Sequence, residues 1–129
     1  MKAMYTAKVA AEAGRGGRIV SEDGRLDLPL SVPKAMGGDD GPGTNPEQLF
    51  AGGYAACFHS AMMHVGKDAD LKGSSVEGEV SIGENAAGPG FALGVTLTVR
   101  APACRRPNCR SWSRRRIRSV HTPTRREAT

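Results

Sequence analysis

The chain has 129 residues, 39% of them apolar and 24% charged, with a net charge of +5 and three cysteines. That length suits a single domain, and no apolar run is long enough to cross a bilayer. Three cysteines do not make a secreted disulfide framework, and the N-terminus shows no signal-peptide apolar region, so a cytoplasmic, reducing setting is expected.

The charge is divided unevenly. Residues 1–99 hold eight Lys and Arg against twelve Asp and Glu, a net −4. Residues 100–129 hold ten Arg, no Lys and one Glu, a net +9. A basic tail ordinarily suggests a nucleic acid or an anionic surface. This one lacks Lys, and Trp112 is its sole aromatic residue.

In chain order, residues 3–12 alternate enough for a strand. Ile19-Val20 and residues 26–30 flank Ser21-Glu22-Asp23-Gly24, a hairpin turn. Residues 35–45 carry Gly37, Gly38, Gly41 and Gly43 and predict a flexible loop. A helix is expected from about Pro46 to Val65. Asn45 can cap its orphan amides, Pro46 suits the first helical position, and Gln48 stands where a capping box would place it. The helix is apolar nearly all round through Met63, which predicts a central, buried element. Val76, Val80 and Ile82 face one way along a strand, residues 85–90 form a connection, and Phe91, Leu93, Val95, Leu97 and Val99 alternate along the next strand. Strands, a central helix and further strands indicate an α+β fold.

Cys57 falls in the middle of the helix, where a cysteine is ordinarily inert packing. The segments around it change that reading. Residues 44–58 read Thr-Asn-Pro-Glu-Gln-Leu-Phe-Ala-Gly-Gly-Tyr-Ala-Ala-Cys-Phe. Together with Tyr5-Thr6-Ala7-Lys8, Gly14-Arg15-Gly16-Gly17-Arg18, Ser21-Glu22-Asp23-Gly24-Arg25-Leu26-Asp27-Leu28 and Gly90-Phe91-Ala92-Leu93, they resemble the organic hydroperoxide resistance proteins of the OsmC superfamily. The resemblance covers residues 3 to 100. It implies antiparallel sheets around a central helix that bears the reactive cysteine, and an intertwined homodimer. It also implies a cytoplasmic thiol peroxidase without cofactor that reduces organic hydroperoxides, lipid-derived ones included, and serves oxidative-stress defence. Its reductant would be a dithiol such as a lipoylated protein. Cys57 would be the peroxidatic thiol, Arg15 the cation that stabilises it, and Glu47 the carboxylate that orients Arg15.

Physical chemistry asks for such a cation. A free thiol titrates near ~8.5 and is mostly protonated at neutral pH. Cys57 lies about 16 Å along an ideal helix from Pro46, beyond the reach of the helix N-terminus. The bland alternatives are a solvated turn arginine, which suits Arg18 better than Arg15, and a simple first-turn glutamate at position 47. Glu47 and Cys57 are themselves about 15 Å apart on a straight helix. Either Gly52-Gly53 bends the helix, or the two meet across a two-fold dimer. His59 and His64 are off the i, i+4 spacing of a metal pair, so no metal site is expected. Met62, Met63, Phe50 and Phe91 are expected in the core.

The last 27 residues read as out-of-frame translation. When each codon is started at the third base of the present one, residues 119–129 can yield CPYSNATRGN, which resembles the family's C-terminal motif with its resolving cysteine. The same offset turns residues 102–119 into a plausible amphipathic helix. The expected organisation is therefore an in-frame but incomplete domain over residues 1–102 and an Arg-rich, disordered tail over residues 103–129. Cys104 and Cys109 lie in that tail and have no reason to sit beside Cys57. Two rival functions follow: an inactive truncated relative, or a nucleic-acid-binding protein using the Arg-rich tail. No membrane partner and no specific nucleic acid are expected for the peroxidase.

Overall fold

The computed structural model describes residues 1–66 and 69–104, and the backbone of residues 116–120. The chain groups into two compact units, Met1–Leu49 and Phe50–Thr129.

The first unit is built on a three-stranded antiparallel sheet of β1 (Val9–Glu12), β2 (Arg18–Ser21) and β3 (Asp27–Pro29), in that order. The hairpin expected between β2 and β3 is present. The Gly24 amide donates to the Ser21 carbonyl at 3.0 Å, and the Ser21 amide donates to the Leu26 carbonyl at 2.7 Å. Gly24 adopts φ 72°, the left-handed conformation that such turns reserve for glycine. The strand expected over residues 3–12 is shorter: its register with β2 covers residues 9–12, and the Lys8 carbonyl accepts from the Glu22 amide just beyond it at 2.9 Å. Ile19 and Leu30 are the buried apolar side chains of this unit.

Polar ties hold the loops of this unit to the sheet. The Leu30 amide donates to the Gly17 carbonyl at 2.7 Å, and the Thr44 amide to the Pro29 carbonyl at 3.1 Å. The Ser31 amide donates to the Thr44 carbonyl at 2.9 Å, while the Ser31 hydroxyl accepts from the Gly43 amide. The start of the helix and the turn after β1 are thereby fastened to the same end of β3.

Helix α1 runs from Pro46 to Val65, the bounds expected from its sequence. The Asn45 side chain accepts from the Gln48 amide at 2.9 Å, which satisfies an orphan donor of the first turn. The capping box is altered: the Gln48 side-chain carbonyl accepts from the Thr44 hydroxyl at 2.7 Å.

The second unit carries most of α1 and a second antiparallel sheet of β4 (Ser75–Glu84), β5 (Phe91–Arg100) and β6 (Arg116–Val120). Val76, Gly78, Val80 and Ile82 share the less exposed face of β4, as the alternation predicted. Val95 and Leu97 are buried on β5, and Ala55 and Met62 on α1. Gly78 allows the close approach of helix and sheet, because a Cβ there would lie 2.7 Å from the Ala51 carbonyl oxygen.

Three features differ from expectation. The helix is not buried all round: only Ala55 and Met62 are, while Phe50, Met63 and Val65 stand exposed. One sheet covers one face of a helix, and a helix apolar on every side needs a second cover. Phe91 is also exposed, at the outer end of β5. Finally, residues 116–120 fall inside the segment expected to be a disordered tail, yet their backbone pairs with β5, Ile117 opposite Val95 and Val120 opposite Leu93. β5 offers an open edge there, and an unpaired edge recruits any extended segment within reach. Of the rest of that segment, residues 105–115 and 121–129 lie outside the described residues.

Candidate active site

Arg15 sits in a single 3-10 turn, Gly14–Gly16, between β1 and β2. Ala13 and Gly14 both adopt left-handed conformations, φ 56° and 58°, which reverse the chain sharply at the end of β1. Gly17 closes the turn against β1. A Cβ on it would lie 1.7 Å from the Glu12 carbonyl oxygen, so the turn admits no larger residue.

The turn delivers Arg15 to Glu47 in the first turn of α1. The pair is bidentate, with Nη1 donating to Oε2 at 2.9 Å and Nη2 to Oε1 at 2.5 Å. Glu47 keeps 14% of its side-chain exposure and Arg15 keeps 34%. Such a fork fixes the plane of the guanidinium as well as its place. The hydrogen bonds from Arg15, helped by the attraction of its charge, hold the Glu47 carboxyl below the ordinary carboxylate range. The same bonds raise the already high pKa of Arg15, so the pair is an ion pair throughout the neutral range. Nη1 also reaches the Met36 sulfur at 3.9 Å. Glu47 and Met36 leave Nε and one Nη2 hydrogen of the fork for a ligand.

Arg18, which the reading of a solvated turn arginine suits better than Arg15, is the first residue of β2. Arg18 pairs with Asp27 across β2 and β3, Nε to Oδ1 at 2.6 Å, with about half of each side chain exposed. The Met36 contact was not foreseen, because residues 35–45 read as a flexible loop. Their sequence hides a second 3-10 turn, Lys34–Met36, closed by Gly37 at φ 82°.

Cys57 stands in the second unit, on α1, exposed and as a free thiol. Its neighbours one turn away on the helix are Gly53, Ser60 and Ala61, all small and exposed, and the half-buried Tyr54. A Cβ added at Gly52 or Gly53 would meet nothing within 4 Å. Cys104, by contrast, is disulfide-bonded, and its partner is not Cys57. His59, whose ring nitrogen Nε2 lies 2.9 Å from the Ser74 hydroxyl, ties the helix to the segment before β4. Among the described residues no group of three or more His, Cys, Asp or Glu could hold a metal ion.

The profile of OsmC-like proteins matches residues 37–107, more than half of the chain. The organic hydroperoxide resistance protein OhrB of Bacillus subtilis is 49% identical over 98 residues, covering 75% of this chain and 71% of its own. The chain belongs to the OsmC family. The crystal structure of that same OhrB superposes with a TM-score of 0.72 at 44% identity, over 84% of this chain and 81% of the other. An organic hydroperoxide resistance protein from Legionella pneumophila gives a TM-score of 0.73 at 42% identity, over 81% and 76% of the two chains. The α+β arrangement with one helix and antiparallel sheets is thus the OsmC arrangement, and the resemblance seen in the motifs is a family relationship with the organic hydroperoxide resistance proteins.

Proposed function

We propose that this OsmC-family chain is a thiol peroxidase that reduces organic hydroperoxides, with Cys57 as the attacking thiol. The observation that carries the reading is the free, exposed Cys57 on α1 in a chain of this family. The thiolate attacks the hydroxyl-bearing oxygen of the hydroperoxide. An S–O bond forms, the O–O bond breaks, the sulfur becomes a sulfenic acid, and the alkoxide leaves and takes up a proton as the alcohol. Arg15 would stabilise the thiolate and donate to the departing alkoxide, and Glu47 would hold the guanidinium in place for both tasks. The bidentate geometry of the pair supports this division of roles.

The resolving step belongs to a cysteine this frame does not supply. The family match ends at residue 107, near the proposed change of frame after Pro102. The 129-residue chain would then react once and stop at the sulfenic acid, open to over-oxidation or mixed disulfides. With the frame restored, a dithiol reductant such as a lipoylated protein would complete the cycle. A second copy of the chain would cover the exposed apolar residues of α1, Phe50, Met63 and Val65, as a homodimer. The proposed setting is the cytoplasm. No helix among the described residues is long and apolar enough to cross a membrane.

The test is stoichiometric oxidation by an alkyl hydroperoxide. Cys57→Ser should abolish it, and consumption at the parent rate by that variant would overturn the assignment. Restoring the frame after Pro102 should add multiple turnovers with a dithiol. Robust turnover by the 129-residue chain through a Cys57–Cys104 or Cys57–Cys109 bond would refute the account of the missing step. A second reading, an incompletely packed relative without turnover, is favoured by the sparse core: among the described residues only Ile19, Leu30, Ala55, Met62, Val95 and Leu97 are buried apolar side chains. A cooperative thermal transition by circular dichroism would exclude it.

A further inference from the structure

The Met36 thioether is the one group besides Glu47 that the described contacts bring to the Arg15 guanidinium, with Nη1 and the sulfur 3.9 Å apart. Met36 is 40% exposed, so its side chain lies within reach of solutes. A thioether is a soft nucleophile toward peroxide oxygen, and the product is methionine sulfoxide. Attack on a hydroperoxide releases an alkoxide, and a fixed guanidinium beside the sulfur stabilises that charge as it forms. Nε and an Nη2 hydrogen of Arg15 remain for such a ligand.

We infer that Met36 is a second oxidation site of this protein, taking oxygen from organic hydroperoxides held on Arg15. The inference rests on the reading of Arg15 as the group that gathers the hydroperoxide. The sulfur lone pair attacks the hydroxyl-bearing oxygen, the S–O bond forms and the O–O bond breaks. The proton of the transferred hydroxyl passes to the departing alkoxide. The products are one sulfoxide and one alcohol, with the sulfur oxidised by two electrons and the peroxide reduced by two. Exposure alone predicts a different order: Met4 is 101% exposed and would oxidise ahead of Met36.

The experiment uses the full chain in a Cys57→Ser background, so that the thiol does not consume the oxidant. Cumene hydroperoxide is added in limiting amounts, and tandem mass spectrometry follows the sulfoxide at Met36 and Met4. Met36 should oxidise several-fold faster than Met4 in the folded chain and at the same rate in urea. Arg15→Ala should remove the preference, and Arg15→Lys should restore part of it. A Met36 rate equal to or below that of Met4 in the folded chain would overturn the inference. So would a preference that survives Arg15→Ala. The peroxidase reading is judged separately, by hydroperoxide consumption at Cys57 in the parent chain, so either can fail while the other stands.

Discussion

The two units hold their chemistry by different means. In the first, Arg15 is placed by polar ties: a bidentate ion pair to Glu47, and amide-to-carbonyl bonds linking Gly17, Leu30, Pro29 and Thr44. Its buried apolar side chains are Ile19 and Leu30 alone. In the second, Cys57 is carried on a helix packed by apolar contact, with Ala55, Met62, Val95 and Leu97 buried and Gly78 close beneath Ala51. Hydrogen bonds have direction and fix an orientation, which a guanidinium donor requires. Apolar packing has none, and a sulfur that needs only to be presented can do without it.

The largest expected effect that would sharpen this contrast comes from Arg15→Ala. Loss of a fixed donor to developing negative charge costs on the order of 10²–10³ in rate. Oxidation of Cys57 by an alkyl hydroperoxide should slow by about that factor, while the melting temperature changes little. A pH–rate profile identical to that of the parent would break the assignment of Arg15 to the thiol chemistry.

Next come the two glycines at close approaches, one in each unit. Gly17→Ala forces a backbone shift against the Glu12 carbonyl, where the added Cβ would lie 1.7 Å away. Gly78→Ala meets the Ala51 carbonyl at 2.7 Å, a smaller intrusion. Overpacking of this kind costs roughly 1–3 kcal/mol, with Gly17 at the upper end. Because Gly17 anchors the turn of Arg15, its replacement should also slow hydroperoxide reduction. Urea unfolding midpoints and Cys57 oxidation rates of both variants check the pair. Equal losses of rate in the two would show that polar and apolar supports are not separate.

The smallest effect concerns acid. Arg15 holds the Glu47 carboxyl below its ordinary value in the folded chain. The unfolded chain therefore binds the proton first, and stability rises with pH through that window. The contribution is complete above the unfolded carboxylate value near ~4.3 and is lost as pH falls through the lowered folded value. Arg15 is about one-third exposed, so solvent screening keeps the contribution at or below ~1 kcal/mol. The gap in unfolding midpoint between the parent and Glu47→Gln should shrink from pH 7 to pH 3. A gap that holds constant or widens in acid would exclude the ion pair as its source.

Much of this protein was legible in its residues. The helix bounds follow from Asn45, Pro46 and a long apolar run, because capping and propensity are local. The β2–β3 hairpin follows from Ser21-Glu22-Asp23-Gly24, and the inward faces of β4 and β5 from their alternation. Arg15, Glu47 and Cys57 were singled out by motif, since spacing alone left Cys57 as packing. Tertiary structure decided the rest. That Arg15 rather than Arg18 meets Glu47 depends on two left-handed residues and on Gly17 folding the turn onto β1, across 32 positions of sequence. That Met36 joins them depends on a 3-10 turn concealed in a glycine-rich loop. Which face of α1 is buried was decided by the sheet that packs on it, since a helix apolar on every side carries no preference of its own. Local signals set the elements because they act within a few residues. The partners of a side chain are set by contacts distant in sequence, which no short pattern encodes.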